Sequence, residues 1–384
     1  MNVPLLPPLS ALALVVLTAA PSFAQSPVRA AVKSDGLVYL SGVVAAGPDI
    51  TAQATAAIEK IAATLKAEGS TLAHVANVTV VLKSASEMPA LNASFAKAWP
   101  KDPPARTTFI VDQPLASAGA VVELSVIAVP AGGERIVVQP AGWLKPPAPY
   151  SYGIKTGNTL FLAGLVSRNG ADNTNVTGDM TLQTRTIMTA AAAILEAAGM
   201  TLADVVSSKV FVADAAGFQA MNTEYRTHFP TSPPARATAK AMLPSPDYLV
   251  EIAMVAVKDP ARKAILPPNA DGTPGRAGAN LSPAIQAGRR LYVAGMTGTT
   301  PTNKGDVAGQ TTETLNRLGR ALTAAGYAWS DVVEVTAYLP DMARAAEMDT
   351  AYRAVFARDF PVRLTMGTPL MGEAAVELML TAVK

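Results

Sequence analysis

Three times along this 384-residue chain an arginine closes a Pro-x-Arg triplet, and a glutamate follows inside an apolar run. The pairs are Arg106 with Glu123, Arg236 with Glu251, and Arg363 with Glu377, separated by 17, 15 and 14 positions. Each glutamate has a strand-like context: Val121-Val122-Glu123-Leu124, Leu249-Val250-Glu251-Ile252 and Ala375-Val376-Glu377-Leu378. A carboxylate buried there must be paired or carry a heavy desolvation cost. A guanidinium can clamp a carboxylate at two points, so the arginine of the same repeat is its expected partner, brought near one sheet edge by two strands joined by a turn. Two readings follow from the residues. Arg and Glu form a buried ion pair that fixes the sheet. Alternatively, Arg holds an anionic substrate while Glu orients or activates water, which requires burial to raise the Glu pKa against the lowering effect of Arg.

Composition removes many other chemistries. Cysteine is absent, which excludes disulfides, thiolate nucleophiles and thiolate zinc sites. The only histidines are His74 and His228, too few for a three-His zinc site. His74 aligns with Asp204 and Asp331 just before a strand, and His228 with Ala98 and Val355, so neither belongs to a shared chemistry. No Gly-rich phosphate loop or Gly-x-Ser-x-Gly elbow is present. Lys+Arg is 31 against Asp+Glu 29, a net charge of +2, and aromatic residues make up 5%. Those values argue against nucleic-acid binding, which needs a basic surface and stacking platforms. Half the residues are hydrophobic, enough for sizeable cores.

The pairs recur because the chain is one unit written three times. Residues 49–106, 179–236 and 306–363 align without a gap: Asp49, Asp179 and Asp306 open the block, Gln53, Gln183 and Gln310 follow, and Gly69, Gly199 and Gly326 stay in register. So do Phe95, Tyr225 and Tyr352. Each unit begins with an apolar run ending in glycine: Gly42, Gly164 or Gly295. A helix is expected next, with a stripe such as Ile58, Ile61, Ala62 and Leu65 at i, i+3, i+4, i+7, ending at the in-register glycine. Strands 75–82, 205–212 and 332–339 are rich in β-branched residues. A shorter helix and two more strands complete a ββαβαββ unit, an α+β arrangement with helices on one face of a sheet.

Residues 1–24 carry no charged side chain, have an apolar core at 9–18 and end in Ser22-Phe23-Ala24, the pattern of a secretory signal peptide. The expected organisation is signal peptide 1–24, repeat 25–130, linker 131–149, repeat 150–258, linker 259–279 and repeat 280–384. The mature chain is then periplasmic or secreted and free of the membrane.

The repeat resembles the reactive intermediate deaminase (Rid, or YjgF) family. The residues that carry the likeness are the Ser-Gly or Ala-Gly strand end, the Asp-x-x-x-Gln helix start, Asn222-x-x-Tyr225, Pro-Pro-Ala-Arg236 and Val250-Glu251-Ile252-Ala253. The resemblance implies the chorismate-mutase-like fold, a homotrimeric barrel with ligand clefts between subunits, and hence a tandem chain that is a monomeric pseudo-trimer. It implies hydrolysis of enamines and imines such as 2-aminoacrylate to a 2-keto acid and ammonia, with no cofactor or metal and a small anionic imine, enamine or keto-acid ligand as the partner. Arg106, Arg236 and Arg363 would bind the substrate carboxylate, Glu123, Glu251 and Glu377 would handle water or protons, and Gly42, Gly164 and Gly295 would approach the ligand.

Other implied binding positions are unequal. Thr108, Thr238 and Thr365 stand where the family often has Cys. A family Tyr is matched by Tyr150, with Gln25 and Leu281 read as its counterparts. Ser41 becomes Ala163 and Ala294, and Asn92 and Asn222 become Asp349, so three unequal clefts are expected. A small-carboxylate binding protein without turnover is the alternative. A ribonuclease, which would want paired acid–base histidines, and an interaction scaffold are weaker readings.

Overall fold

The computed structural model describes residues 27–356 and 358–384. The expected signal peptide lies outside them. In the first repeat, β1 (Ala31–Ser34) and β2 (Leu37–Leu40) lead to α1 (Ile50–Ala67), β3 (Val75–Leu82), α2 (Met88–Ala98), β4 (Ala105–Ile110) and β5 (Val122–Ala128). A short β6 (Ile136–Val138) precedes the second repeat: β7 (Gly153–Thr156), β8 (Thr159–Leu162), α3 (Met180–Ala197), β9 (Val205–Val212), α4 (Phe218–Thr227), β10 (Ala235–Lys240) and β11 (Val250–Val257). Likewise β12 (Lys263–Ile265) precedes β13 (Ala284–Ala287), β14 (Arg290–Thr297), α5 (Val307–Ala325), β15 (Val332–Leu339), α6 (Ala345–Phe356), β16 (Val362–Gly367) and β17 (Glu377–Val383). Among the described residues no helix is long and apolar enough to cross a membrane.

The in-register residues explain why each unit folds alike. Asp49, Asp179 and Asp306 cap the long helices, accepting hydrogen bonds from the N–H groups of Ala52, Leu182 and Gly309. Gly69, Gly199 and Gly326 adopt φ of +74°, +71° and +79°, the left-handed conformation that stops a helix. The recurrent glutamine latches the loop before the Glu-bearing strand: Gln53, Gln183 and Gln310 accept from the N–H groups of Val121, Leu249 and Ala375 at 2.8, 2.9 and 2.8 Å. Conserving that latch in all three units fixes where Glu123, Glu251 and Glu377 enter their strands.

The sheets run β1-β2-β5-β3-β4, β10-β9-β11-β8-β7-β6 and β12-β13-β14-β17-β15-β16. The arginine strand pairs parallel to the central strand, and the glutamate strand pairs antiparallel to that strand's other edge. The expectation that a turn brings the two strands together is therefore corrected: the central strand lies between them. The stretches expected as linkers each supply an edge strand, β6 or β12, to the following sheet.

Helices pack on the outer face of each sheet, giving one core per repeat, as with Leu65, Val78 and Phe95 in the first. The inner faces turn toward a common pseudo-threefold axis. There Phe109, Phe211 and Tyr338 come from three different repeats, with Phe109 and Phe211 stacked at 4.3 Å. Further along the axis lies a partly open lumen with about 870 Å³ of empty space, lined in part by Asn77, Ser207, Lys209, Glu334 and Thr336. This arrangement makes the chain an intramolecular pseudo-trimer.

Arg290 ties the three repeats together. It is buried, its Nε lies 3.0 Å from Asp35, and it donates to Thr159 Oγ1 at 2.7 Å. Removing one partner of such a network leaves polar groups unpaired. Arg290→Met is expected to lower unfolding free energy by roughly 3 kcal/mol. Urea denaturation checks this, and an unchanged midpoint would exclude Arg290 as a tie.

Candidate active sites between repeats

The Arg–Glu partnership crosses from one repeat to the next, which corrects the same-repeat pairing expected from sequence. Gly164 N–H donates to Arg106 O at 3.1 Å, and Gly42 N–H donates to Arg363 O at 3.1 Å. Thr108 N–H donates to Glu251 Oε1 at 3.4 Å. Arg106 acts electrostatically on Glu251, Arg236 on Glu377, and Arg363 on Glu123. Three clefts result: Arg106 facing Glu251, Arg236 facing Glu377, and Arg363 facing Glu123.

The strand-end glycine exists to make room for the glutamate. A Cβ built at Gly42, Gly164 or Gly295 would fall inside the carboxylate of Glu123, Glu251 or Glu377 respectively. Gly164→Ala is expected to displace Glu251 and destabilise the chain by about 1–3 kcal/mol. In thermal unfolding, the Gly164→Ala/Glu251→Ala double variant should lose less than the sum of the two single losses, the remainder being the contact with Thr107; an additive loss would refute this packing role.

All six charged groups are buried, and burial is the largest influence on the three carboxyls, Arg106 and Arg236. Desolvation pushes the carboxyls of Glu123 and Glu377 up to about 7 and that of Glu251 up to about 8, opposed by their respective arginines and, for Glu123 and Glu251, by backbone N–H donors. Burial pulls Arg106 down to about 10, and also lowers Arg236. Each carboxyl is thus poised to gain or lose a proton near neutral pH, while Arg106 stays charged there.

Each arginine lies over the in-register aromatic of the short helix: Arg106 over Phe95 at 5.0 Å, Arg236 over Tyr225 at 4.9 Å, and Arg363 over Tyr352 at 4.8 Å. Sequence reading aligned these aromatics but gave them no role; their constant distance from Pro-x-Arg was the available signal. Tyr150 adds a second ring 5.8 Å from Arg106. Its counterparts need correcting. The N–H groups of Ser151, Ser282 and Arg29 donate to the carbonyls of Pro104, Pro234 and Pro361, so the residues equivalent to Tyr150 are Leu281 and Val28, not Gln25.

The remaining positions make the clefts unequal. Asn92 Oδ1 and Thr108 Oγ1 are buried without hydrogen-bond partners, as is Arg106 Nη1. Arg236 donates through Nη2 to Asn222 Oδ1 at 2.6 Å, while its Nε and Nη1 are buried without partners. Arg363 Nη2 instead pairs with the Asp349 carboxylate at 2.7 Å. Ser41 Oγ is engaged in joining repeats, donating to Arg29 O at 2.6 Å and accepting from Arg363 N–H at 2.9 Å. Thr238 and Thr365 share the strand register of Thr108, with Thr238 buried and Thr365 half-buried. His74 contacts Thr71, and His228 pairs with Glu224 at 3.2 Å, so neither imidazole is engaged with an arginine–glutamate pair.

A sequence comparison decides the family. The sequence model of the Endoribonuclease L-PSP family matches residues 18–130, 142–258 and 274–384. The chain belongs to this family. It carries three Rid-like repeats of the L-PSP family rather than one. A RutC family protein of Pyrococcus horikoshii is 40% identical over 115 residues, covering 30% of this chain and 91% of that protein. A RutC family protein of Sulfurisphaera tokodaii is 39% identical over 114 residues, again 30% and 91%. Among solved structures, a chorismatase covers 80% of this chain and 93% of its own at 15% identity and a TM-score of 0.51, a likeness of fold alone. RidA from an Antarctic Psychrobacter covers 32% of this chain and 100% of its own, with 26% identity and a TM-score of 0.31.

Proposed function

We propose that the protein hydrolyses small imine or enamine carboxylates to a 2-keto acid and ammonia. The observation that carries this reading is the buried, partnerless Nη1 of Arg106 beside Glu251, whose carboxyl titrates near neutrality. A partnerless guanidinium donor in a dry site favours a carboxylate ligand. An imine carbon is already electrophilic, so catalysis needs positioning, one water and a proton path. In the cleft, Arg106 fixes the carboxylate and Glu251 relays protons. Protonated Glu251 gives its proton to the imine nitrogen, then as carboxylate takes one from the attacking water. The new C–O bond forms as the C=N bond reduces to C–N. Glu251, protonated again by that water, passes its proton to the amine, and collapse of the carbinolamine to C=O breaks the C–N bond, expels ammonia and returns the hydroxyl proton to Glu251. An enamine instead takes the Glu251 proton at its β-carbon, which gives the same iminium.

The chain acts as a single exported pseudo-trimer in this proposal, its export resting on the pattern of residues 1–24. Ammonia release from freshly generated 2-aminoacrylate and related imino acids tests the reading. Release that disappears in the Arg106→Ala/Arg236→Ala/Arg363→Ala variant is expected. A folded triple variant with full activity would overturn it, and tight binding without ammonia release would point to a binding protein.

A further inference from the structure

The cleft between the first two repeats opens into an annex that the other two cannot build. A partly open space, about 320 Å³ with its solvent-facing mouth included, is lined by Trp143, Tyr150, Tyr152, Gly164, Leu165 and Arg168, among others. Gly164 is the glycine against Glu251, and Tyr150 lies beside Arg106, so the annex adjoins the proposed reaction centre. Trp143 and Tyr152 meet edge to face at 5.0 Å. A Cβ at Gly170 would fall inside the Trp143 ring, so the loop after β8 is shaped to receive that indole. Leu144 N–H, donating to Gly170 O at 2.9 Å, pins the two segments.

Arg168 is the one charged group lining this space. Its Nη2 donates to the Tyr248 hydroxyl, which in turn donates to Asn175 Oδ1 at 2.7 Å. Its Nε is buried without a partner. Among the described residues, neither Arg106 nor Arg168 forms an ion pair. Both guanidinium charges act on the Tyr150 hydroxyl, which lies in the field of the two. Arg168 comes four residues after Gly164, where the other repeats have Ala46 and Thr299. Trp143 comes five residues after β6, where the position after β12 holds Ala270.

Two cations without ion pairs, Arg168 lining an aromatic-walled space and Arg106 across Tyr150 from it, call for a dianion. We propose that this cleft, alone of the three, takes dicarboxylic 2-imino or 2-oxo acids. Arg106 holds the carboxylate next to the reacting carbon, the chain lies along Trp143 and Tyr152, and Arg168 holds the distal carboxylate. The assignment of the reacting end rests on the hydrolase reading above.

Titration calorimetry on the purified chain, with 2-oxoglutarate and pyruvate as unreactive probes, tests the assignment. One 2-oxoglutarate per chain is expected, bound about tenfold or more tighter than pyruvate. Arg168→Leu should weaken 2-oxoglutarate about tenfold while leaving pyruvate unchanged, and Arg168→Lys should restore part of the loss. Arg106→Ala should weaken 2-oxoglutarate and remove the pyruvate bound in this cleft, leaving pyruvate in the Arg236 cleft. Equal affinities, three equivalent 2-oxoglutarate sites, or a folded Arg168→Leu variant that binds normally would overturn the annex. If pyruvate still needs Arg106, the clamp of the hydrolase reading stands. Dependence of 2-oxoglutarate on Arg168 but not Arg106 would support the annex and remove the clamp. Failure of both probes to bind folded protein overturns the annex, and ammonia release then decides the hydrolase reading separately.

Discussion

Replacing Arg106 and Arg236 together by alanine is expected to reduce ammonia release by about 100-fold or more, whereas Arg363→Ala should leave most of it. The three arginines occupy the same strand position and lie over the same aromatic position, yet their charge balance differs. Arg106 Nη1 and Arg236 Nε and Nη1 are buried donors without partners, so an arriving carboxylate gains bonds the protein does not already supply. Arg363 holds the Asp349 carboxylate at 2.7 Å, and that internal anion competes with any substrate anion. Asp349→Asn therefore should raise the output of the third cleft, most visibly in a chain whose other two clefts carry Arg→Ala. Values of kcat/KM per chain for the single, double and Asp349→Asn variants decide the matter. Equal losses on changing each arginine would show that the Asp349 pair does not silence its cleft.

Stability should fall as pH rises from about 4.5 toward 8, and the three glutamates should be the cause. Their folded-state carboxyls titrate at about 7, 8 and 7, against an ordinary value of 4.5. A raised folded-state pKa means that the native state holds its proton longer than the unfolded chain. The associated stability is therefore fully present below the unfolded value and is lost as pH climbs through the folded one. Each carboxyl contributes on the order of 3 kcal/mol to that slope. Glu123→Gln/Glu251→Gln/Glu377→Gln should flatten the profile and be more stable than the parent at pH 8. Urea midpoints between pH 5 and pH 9 measure it, and a parent profile as flat as the variant's would show that the carboxyls ionise normally. In the proposed reaction, the same titration makes hydrolysis decline above about pH 8, where the general acid is lost.

The repeat and its secondary structure were legible because the residues that build them act locally. Asp49 caps the helix that starts one residue later, Gly69 ends it, and a gapless register carries both signals into every unit. The strand at 75–82 follows from its β-branched run and forms where the pattern put it. The partner of each glutamate was not legible, because it depends on strand order and on a neighbouring repeat. β3 comes between β4 and β5, and Glu251 reaches Thr108, which is 143 residues away. The counterpart of Tyr150 was misplaced for a related reason: it lies upstream of the gapless block, where spacing carries no register and only hydrogen bonds to Pro104, Pro234 and Pro361 define equivalence. Arg168 and Trp143 were invisible to repeat logic, since they occur once and meet only when a linker folds against a loop.

Fusing the repeats changes what dilution can do. Clefts shared by separate chains vanish by mass action when the chains drift apart. Here β6 and β12 lie in the connecting segments and pair into the following sheets, so two of the three neighbours are supplied at a fixed effective concentration. The third junction, where Gly42 and Ser41 meet Arg363, closes the ring without a covalent bridge of its own. Its integrity is set by intramolecular closure rather than by how much protein is present, so an arrangement of this kind keeps its clefts at dilutions that would dissolve a trimer of single repeats.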